Sequence, residues 1–133
     1  MLISTLTVCV TSSVGDPSVA VRRLPSKPRR PIAVNNRGIY VTVKWTRPED
    51  DDEAADVTGY VIKYCGKALI YLAKNPNIDD DGEVHVDGIK TRFRFTFQLK
   101  RFMSYQFAVA ANNNVGRGEF SEFSYSVKTS TGK

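Results

Sequence analysis

The sequence is poor in the side chains that build metal and catalytic sites. Its 133 residues include two cysteines, Cys9 and Cys65, and a single histidine, His85. The cysteines form no closely spaced CxxC pair, which excludes a zinc site built on them. His85 stands between two valines with no adjacent cysteine or serine, so no nucleophile–base pair is recognisable. We therefore expect no enzyme activity, no metal site and no cofactor.

Long apolar runs are also lacking. No stretch of about 18 consecutive apolar residues occurs, so we expect no membrane insertion within this chain. A hydrophobic fraction of 41% and a charged fraction of 25% are instead typical of one globular domain. The two cysteines leave two alternatives open, one disulfide bond or two free thiols.

The net charge of +5 is divided into three blocks along the chain. Residues 1–47 contain eight basic and one acidic residue, residues 48–89 contain eleven acidic and three basic residues, and residues 90–133 contain eight basic and two acidic residues. Nucleic-acid binding favours one continuous basic face. This alternation of charge therefore predicts no nucleic-acid partner.

Apolar and polar residues alternate with period two, which indicates strands with one buried and one solvated face. The alternating segments are residues 39–45, 60–64, 93–99, 105–111 and 123–127. This register assigns Phe97 and Tyr125 to the buried faces. Turn-forming residues separate the segments and no stretch has helical length, so we predict an all-β sandwich of two antiparallel sheets.

One spacing pattern extends over most of the alternating segments. It joins Leu99, Tyr105, Phe107, Val109, Ala111, Asn113, Gly116, Gly118 and Ser121, preceded by Val41, Val43, Trp45, Pro48, Gly59, Tyr60, Ile62 and Tyr64. This pattern resembles the fibronectin type III family. The resemblance covers residues 28–129. It implies an immunoglobulin-like sandwich of seven antiparallel strands. Arg101 departs from the pattern, because the family usually has proline there.

Six residues are expected to form the structural core. A large indole such as that of Trp45 can contact both packed sheets. Tyr105 suits a tyrosine corner, in which its hydroxyl bonds the backbone a few residues upstream. The predicted core residues are Trp45, Tyr60, Ile62, Leu99, Tyr105 and Val109.

Six arginines are candidate contacts for a partner: Arg29, Arg30, Arg92, Arg94, Arg101 and Arg117. A basic stripe along the outward face of one strand would consist of Arg92, Arg94, Lys100 and Arg101, with Lys90. Together with Arg29 and Arg30 of the linker, it would suit a glycosaminoglycan or an acidic protein. The alternative is ordinary surface charge that discourages pairing between sheet edges. Arg117-Gly118-Glu119 occupies the loop in which some family members display an integrin-binding Arg-Gly-Asp. The loop geometry alone also explains these glycines.

The domain limits follow from composition. Residues 22–30 contain prolines at period three and are predicted to be an extended linker, residues 31–129 the fibronectin type III domain and residues 130–133 a tail. Residues 1–21 have two interpretations. They are apolar like a signal peptide, and they also resemble the end of an immunoglobulin-like domain.

The resemblance implies a non-catalytic interaction and spacer module, with an unknown protein partner, in an adhesion or receptor protein. A cell-surface location is favoured. Two alternatives remain, a scaffold module of a titin- or twitchin-like muscle protein and a module that binds heparan sulfate.

Overall fold

The computed structural model describes residues 23–49, 56–69 and 79–130. They form seven strands: β1 (Ile32–Arg37), β2 (Tyr40–Lys44), β3 (Gly59–Ala68), β4 (Asp79–Asp87), β5 (Arg92–Phe95), β6 (Met103–Asn112) and β7 (Val127–Lys128). A three-stranded sheet has the order β1-β2-β5, and a four-stranded sheet has the order β4-β3-β6-β7. All pairings are antiparallel, which confirms the predicted sandwich. In the described part of the chain, no helix is long and apolar enough to cross a membrane.

The core lies between the inward faces of the two sheets. The Phe95 ring of β5 lies 5.1 Å from the Phe107 ring of β6, so an aromatic contact joins the sheets. Trp45 meets Tyr60 edge to face at 5.3 Å. All six predicted core residues are buried, with exposed fractions between 0% and 5%: Trp45, Tyr60, Ile62, Leu99, Tyr105 and Val109.

A tyrosine hydroxyl fixes the connection between β5 and β6. The Lys100 backbone N–H donates a 2.8 Å hydrogen bond to the Tyr105 hydroxyl, five residues downstream. That hydroxyl in turn donates to the Asp80 carboxylate of β4 at 2.5 Å. The ring covers Gly66 of β3 so closely that a Cβ there would overlap it. The tyrosine thus links three separate segments.

The alternating pattern fails at Phe97, which the sequence assigns to the buried side. Strand β5 ends at Phe95, and the Phe97 side chain is 82% exposed. The reason is local, because the Gln98 side-chain oxygen accepts hydrogen bonds from the N–H groups of Thr96 and Phe97. This side chain turns the backbone out of the strand, and the prediction of a strand through residue 99 is wrong.

The final strand is also irregular. The hydroxyl oxygens of Ser121, Ser124 and Thr129 accept hydrogen bonds from backbone N–H groups of β6. The N–H groups of the same three residues donate to carbonyls of β6. These side chains replace part of the regular ladder, so β7 is only two residues long and Tyr125 is 77% exposed. The predicted burial of Tyr125 is therefore wrong.

Residues 23–31, most of them in the predicted linker, pack against the sandwich. Pro25, Pro28 and Pro31 are buried. The Asn113 side chain donates a 2.7 Å hydrogen bond to the Arg23 carbonyl. A Cβ at Gly118 would overlap the Pro25 carbonyl oxygen, so glycine permits this close approach. Residues 1–22, with both interpretations of the N-terminus, lie outside the described residues.

Cys65 on β3 is buried and disulfide-bonded. The sequence left open whether its cysteines are free, and the structure contains a disulfide at this one. The other cysteine of the sequence, Cys9, lies outside the described residues.

Candidate functional site

Two of the candidate arginines hold residues 23–31 in place. Arg29 forms an ion pair with Glu49. Arg30 pairs with Glu122 at 3.2 Å, donates a 3.0 Å hydrogen bond to the Tyr125 hydroxyl and lies 4.8 Å from the centre of that ring. Both guanidinium groups therefore have partners within the domain.

Arg117 is likewise engaged within the domain. Its guanidinium lies 4.6 Å from the centre of the Phe120 ring and 3.8 Å from the Glu83 carboxylate of β4. Gly118, the next residue, is buried against Pro25. The Arg117-Gly118-Glu119 sequence thus does not project as an integrin-binding loop would.

The predicted basic stripe is interrupted. Arg92 and Arg94 lie on the outward side of β5, but this strand ends before the later basic residues. Lys100 lies 3.8 Å from Asp80 of the other sheet. Arg101 is exposed in the connection that follows. The stripe therefore does not continue along one strand to Arg101, and only Arg92 and Arg94 remain adjacent.

The sheet register adds a third basic residue to these two. Lys44 of β2 lies directly opposite Arg92, and Thr42 lies opposite Arg94. The Arg94 guanidinium is 5.2 Å from the centre of the Tyr40 ring. We call Lys44, Arg92 and Arg94 the cationic patch. Sequence reasoning missed Lys44 because only the pairing of β2 with β5 shows that it belongs there.

Apolar side chains occupy the other half of the same outer face. Ile32 and Val34 on edge strand β1 are 65% and 51% exposed. They lie opposite Lys44 and Thr42. The outer face of the three-stranded sheet is therefore apolar along β1 and cationic along β5.

The edge strand β4 has the opposite charge. Its exposed carboxylates belong to Asp79, Asp81, Glu83 and Asp87. Asp80 is less exposed, and its carboxylate accepts a hydrogen bond from the Tyr105 hydroxyl. Burial and this hydrogen bond both raise the pKa of Tyr105. The pKa of Tyr64 is raised by burial and by the nearby negative charges of Asp80 and Asp81.

The described residues contain no group of three or more His, Cys, Asp or Glu side chains arranged to hold a metal ion. His85 is exposed on β4. The described surface has three distinct features: the cationic patch, the apolar strand β1 and the acidic edge strand β4.

Comparison with known proteins places these features in a family. The model of the fibronectin type III domain matches residues 26–127. The protein sidekick homolog of Caenorhabditis elegans is 32% identical over 127 residues, which covers 93% of this chain and 5% of that protein. The receptor-type tyrosine-protein phosphatase F of Danio rerio is 31% identical over 115 residues, covering 86% of this chain and 5% of that protein. This chain thus spans about one-twentieth of the length of these relatives.

Solved structures agree with the fold. A crystal structure of three titin domains superposes with a TM-score of 0.62 and 26% identity, covering 80% of this chain and 32% of that chain. The two-sheet topology, the buried tryptophan and the matched residues 26–127 lead to the same assignment. The chain belongs to the fibronectin type III family.

Proposed function

We propose that this chain is an interaction and spacer module of a multidomain adhesion or receptor protein at the cell surface. The observation that carries the proposal is the similarity to the sidekick homolog and the receptor-type phosphatase, each about 20 times longer than the matched segment. In both proteins such a segment is one small part of a long chain. The phosphatase activity named for one relative is not carried over to this module.

A rigid sandwich suits the role of a spacer. Aromatic contacts join its two sheets, and residues 23–31 are anchored by Arg30 and Asn113 rather than extended away from it. A preceding segment would therefore leave the sandwich in a defined direction. We propose that the module includes residues 23–31, and that its solvated faces and loops provide the contacts.

The disulfide at Cys65 supports an oxidising location. Disulfides persist mainly in secreted and extracellular proteins, because cytosolic reductants keep thiols reduced. A module that operates outside the cell is consistent with a buried disulfide on its central strand β3. An intracellular module would be expected to keep this cysteine as a thiol.

Surface labelling of the full-length parent protein tests the proposal. The parent is expressed in animal cells with its own N-terminus and an epitope tag beside this module, then treated with a membrane-impermeant biotin reagent. We expect intact cells to give biotinylated protein, and we expect Cys65 to resist alkylation until a reductant is added. A parent protein that is labelled only after lysis, with Cys65 alkylated without reductant, would contradict a surface function.

The second candidate is a scaffold module of a muscle protein. The 26% identity to titin domains over 80% of this chain favours it. It predicts the opposite results in the same experiment, namely protection from external biotin and a reduced Cys65. The labelling experiment therefore separates the two candidates.

A further inference from the structure

We propose that the disulfide partner of Cys65 is Cys9 of the same chain, and that the segment around Cys9 is thereby held across the outer face of the four-stranded sheet. This pairing goes beyond the proposed function, because it is a contact within the chain, and it rests on that function only in requiring an oxidising location. It departs from both interpretations of residues 1–21. A cleaved signal peptide would remove Cys9, and an upstream immunoglobulin-like domain would supply it with a different partner.

The Cys65 side chain lies on the outer face of its sheet. Tyr60 and Ile62 of β3 belong to the core between the two sheets. Because side chains alternate along a strand, Cys65 points away from that core, as does Val61. Val61 packs in a second apolar cluster, which includes Ala108 of β6. The partner of Cys65 must therefore approach from outside the sandwich.

The sequence leaves one candidate partner within the chain. It contains two cysteines, and the described residues include no cysteine besides Cys65. A pair within the chain therefore requires Cys9. Cys65 is only 6% exposed, although its cross-strand partners Asp81 and Gln106 are exposed and half-buried. A segment seated over the sulfur accounts for this difference.

The chain between the two cysteines is long enough to make the bond. Arg23 lies at one end of the sheet, because its carbonyl accepts a hydrogen bond from the Asn113 side chain. Asn113 directly follows β6, whose last residue pairs with Gly59 at the start of β3. Cys65 is six residues further along β3, about 20 Å away at a rise of about 3.3 Å per residue. The 14 positions from Cys9 to Arg23 can span up to about 46 Å, so the tether reaches with slack.

The bond would place the segment over the face of the sheet rather than at its edge. Strand β3 is flanked by β4 on one side and by β6 on the other. A strand added outside β4 would lie two strand spacings, about 9.5 Å, from β3, whereas the Cα atoms of a disulfide are at most about 7 Å apart. Residues 1–15 contain no charged side chain, so they can lie beside both Lys63 and Asp81 without repulsion from either.

Peptide mapping without reductant identifies the bond. The full chain is refolded in a glutathione buffer, its free thiols are blocked with N-ethylmaleimide, and it is then denatured and digested with trypsin. We expect a linked pair of peptides, residues 1–22 joined to residues 64–67, that separates when dithiothreitol is added. Cys65 found as a thiol, as a glutathione adduct or in a dimer of two chains would overturn the pairing.

Lysine acetylation tests whether the segment covers the face. Lys63 and Lys67 point to the same side of β3 as Cys65, and Lys44 is an exposed control on the other sheet. In Cys9→Ser, we expect Lys63 and Lys67 to react about threefold faster or more, because covered groups react only when the cover opens. Lys44 should react at an unchanged rate. Thermal unfolding shows that the variant is folded.

A second variant controls for the substitution itself. Cys65→Ser breaks the same bond from the other side, so it should raise the reactivity of Lys63 and Lys67 as Cys9→Ser does. Rates that stay unchanged in both variants would overturn the covering of this face by the segment.

Mapping of the parent protein separates this pairing from the proposed function. The same digestion is applied to the parent purified from the surface of the labelled cells, and we expect the same linked peptides. A parent protein that is labelled at the cell surface but in which Cys65 is not bonded to Cys9 would overturn this inference and leave the proposed function standing.

Discussion

The two sheets of this sandwich share one core but present opposite charges to solvent. The three-stranded sheet carries four basic residues and no acidic one. Strand β4, at the edge of the four-stranded sheet, carries five acidic residues and no lysine or arginine. Inward residues of both sheets are mostly apolar because burial requires it, and the inward Asp80 has a hydrogen-bond partner in Tyr105. The outward residues are free of that constraint, so they are where a partner would be specified.

The edges differ as well. Both β4 and β5 have one unpaired side, which is a site for unwanted pairing with other chains. On β4 alternating carboxylates block this pairing, while β5 is short and carries two arginines. Charge of either sign serves this purpose, so protection of the edges does not explain why the signs differ.

The largest effect is expected from the phenylalanine that joins the two sheets. Phe95→Ala removes a fully buried ring that contacts Phe107, and should lower the free energy of unfolding by about 3–5 kcal/mol. Phe97→Ala, two residues away and 82% exposed, should change it by less than about 0.5 kcal/mol. Urea denaturation with the disulfide intact measures both. Similar losses would mean that Phe97 is buried as the alternation predicts.

A smaller loss of stability is expected at a position where a serine hydroxyl takes the place of a backbone acceptor in the four-stranded sheet. Ser124→Ala leaves the buried Phe107 N–H without its 3.0 Å acceptor and should cost about 1–3 kcal/mol. Ser126→Ala is the control, because this serine is exposed. Thermal unfolding compares the two. An unchanged midpoint for Ser124→Ala would show that the hydroxyl contributes nothing to the ladder.

The Tyr105 hydroxyl should contribute about 1 kcal/mol and a dependence on alkaline pH. Because burial and the Asp80 bond raise its pKa above the unfolded value of 10.0, its contribution is complete below pH 10.0 and is lost as pH rises further. Tyr105→Phe should lower stability at neutral pH and flatten its decline above pH 10.0. Urea denaturation at several pH values decides, and parallel curves for Tyr105→Phe would contradict the role of the hydroxyl.

The fold was predictable because inward positions obey a strict rule of burial. Trp45 and Tyr105 are recognisable from local pattern and spacing alone. The exposure of Phe97 was not predictable. The hydrogen bonds that Gln98 accepts at the end of β5 depend on one conformation of its side chain. The packing of residues 23–31 was also missed, because prolines at period three fit an extended linker as well as a docked segment.

Two of the three residues of the cationic patch were predictable. Arg92 and Arg94 are visible as alternating basic residues in one strand. Lys44 joins them only through the pairing of two strands separated by 47 positions in the chain, a register that no local pattern specifies. The ion pair of Arg117 was not predictable for a related reason, because its partner Glu83 belongs to a different strand.

The smallest predicted changes in the free energy of unfolding have opposite signs in the two sheets. Lys44→Gln removes the repulsion with Arg92 and should raise the free energy of unfolding by about 0.3 kcal/mol. Lys67→Gln, which breaks the 3.1 Å pair with Asp79 of β4, should lower it by a similar amount, about 0.3 kcal/mol. Both differences should shrink in 1 M salt, where the screening length is about 3 Å.

A double variant gives this last comparison its control. Arg92→Gln should stabilise as Lys44→Gln does, and the two together should gain little more than either alone, because the same repulsion is removed only once. Replicate denaturant melts at low ionic strength resolve such differences. A stabilisation that is additive, or that survives high salt, would mean that the gain does not come from repulsion between these two side chains. The like-charge pair would then carry no stability cost.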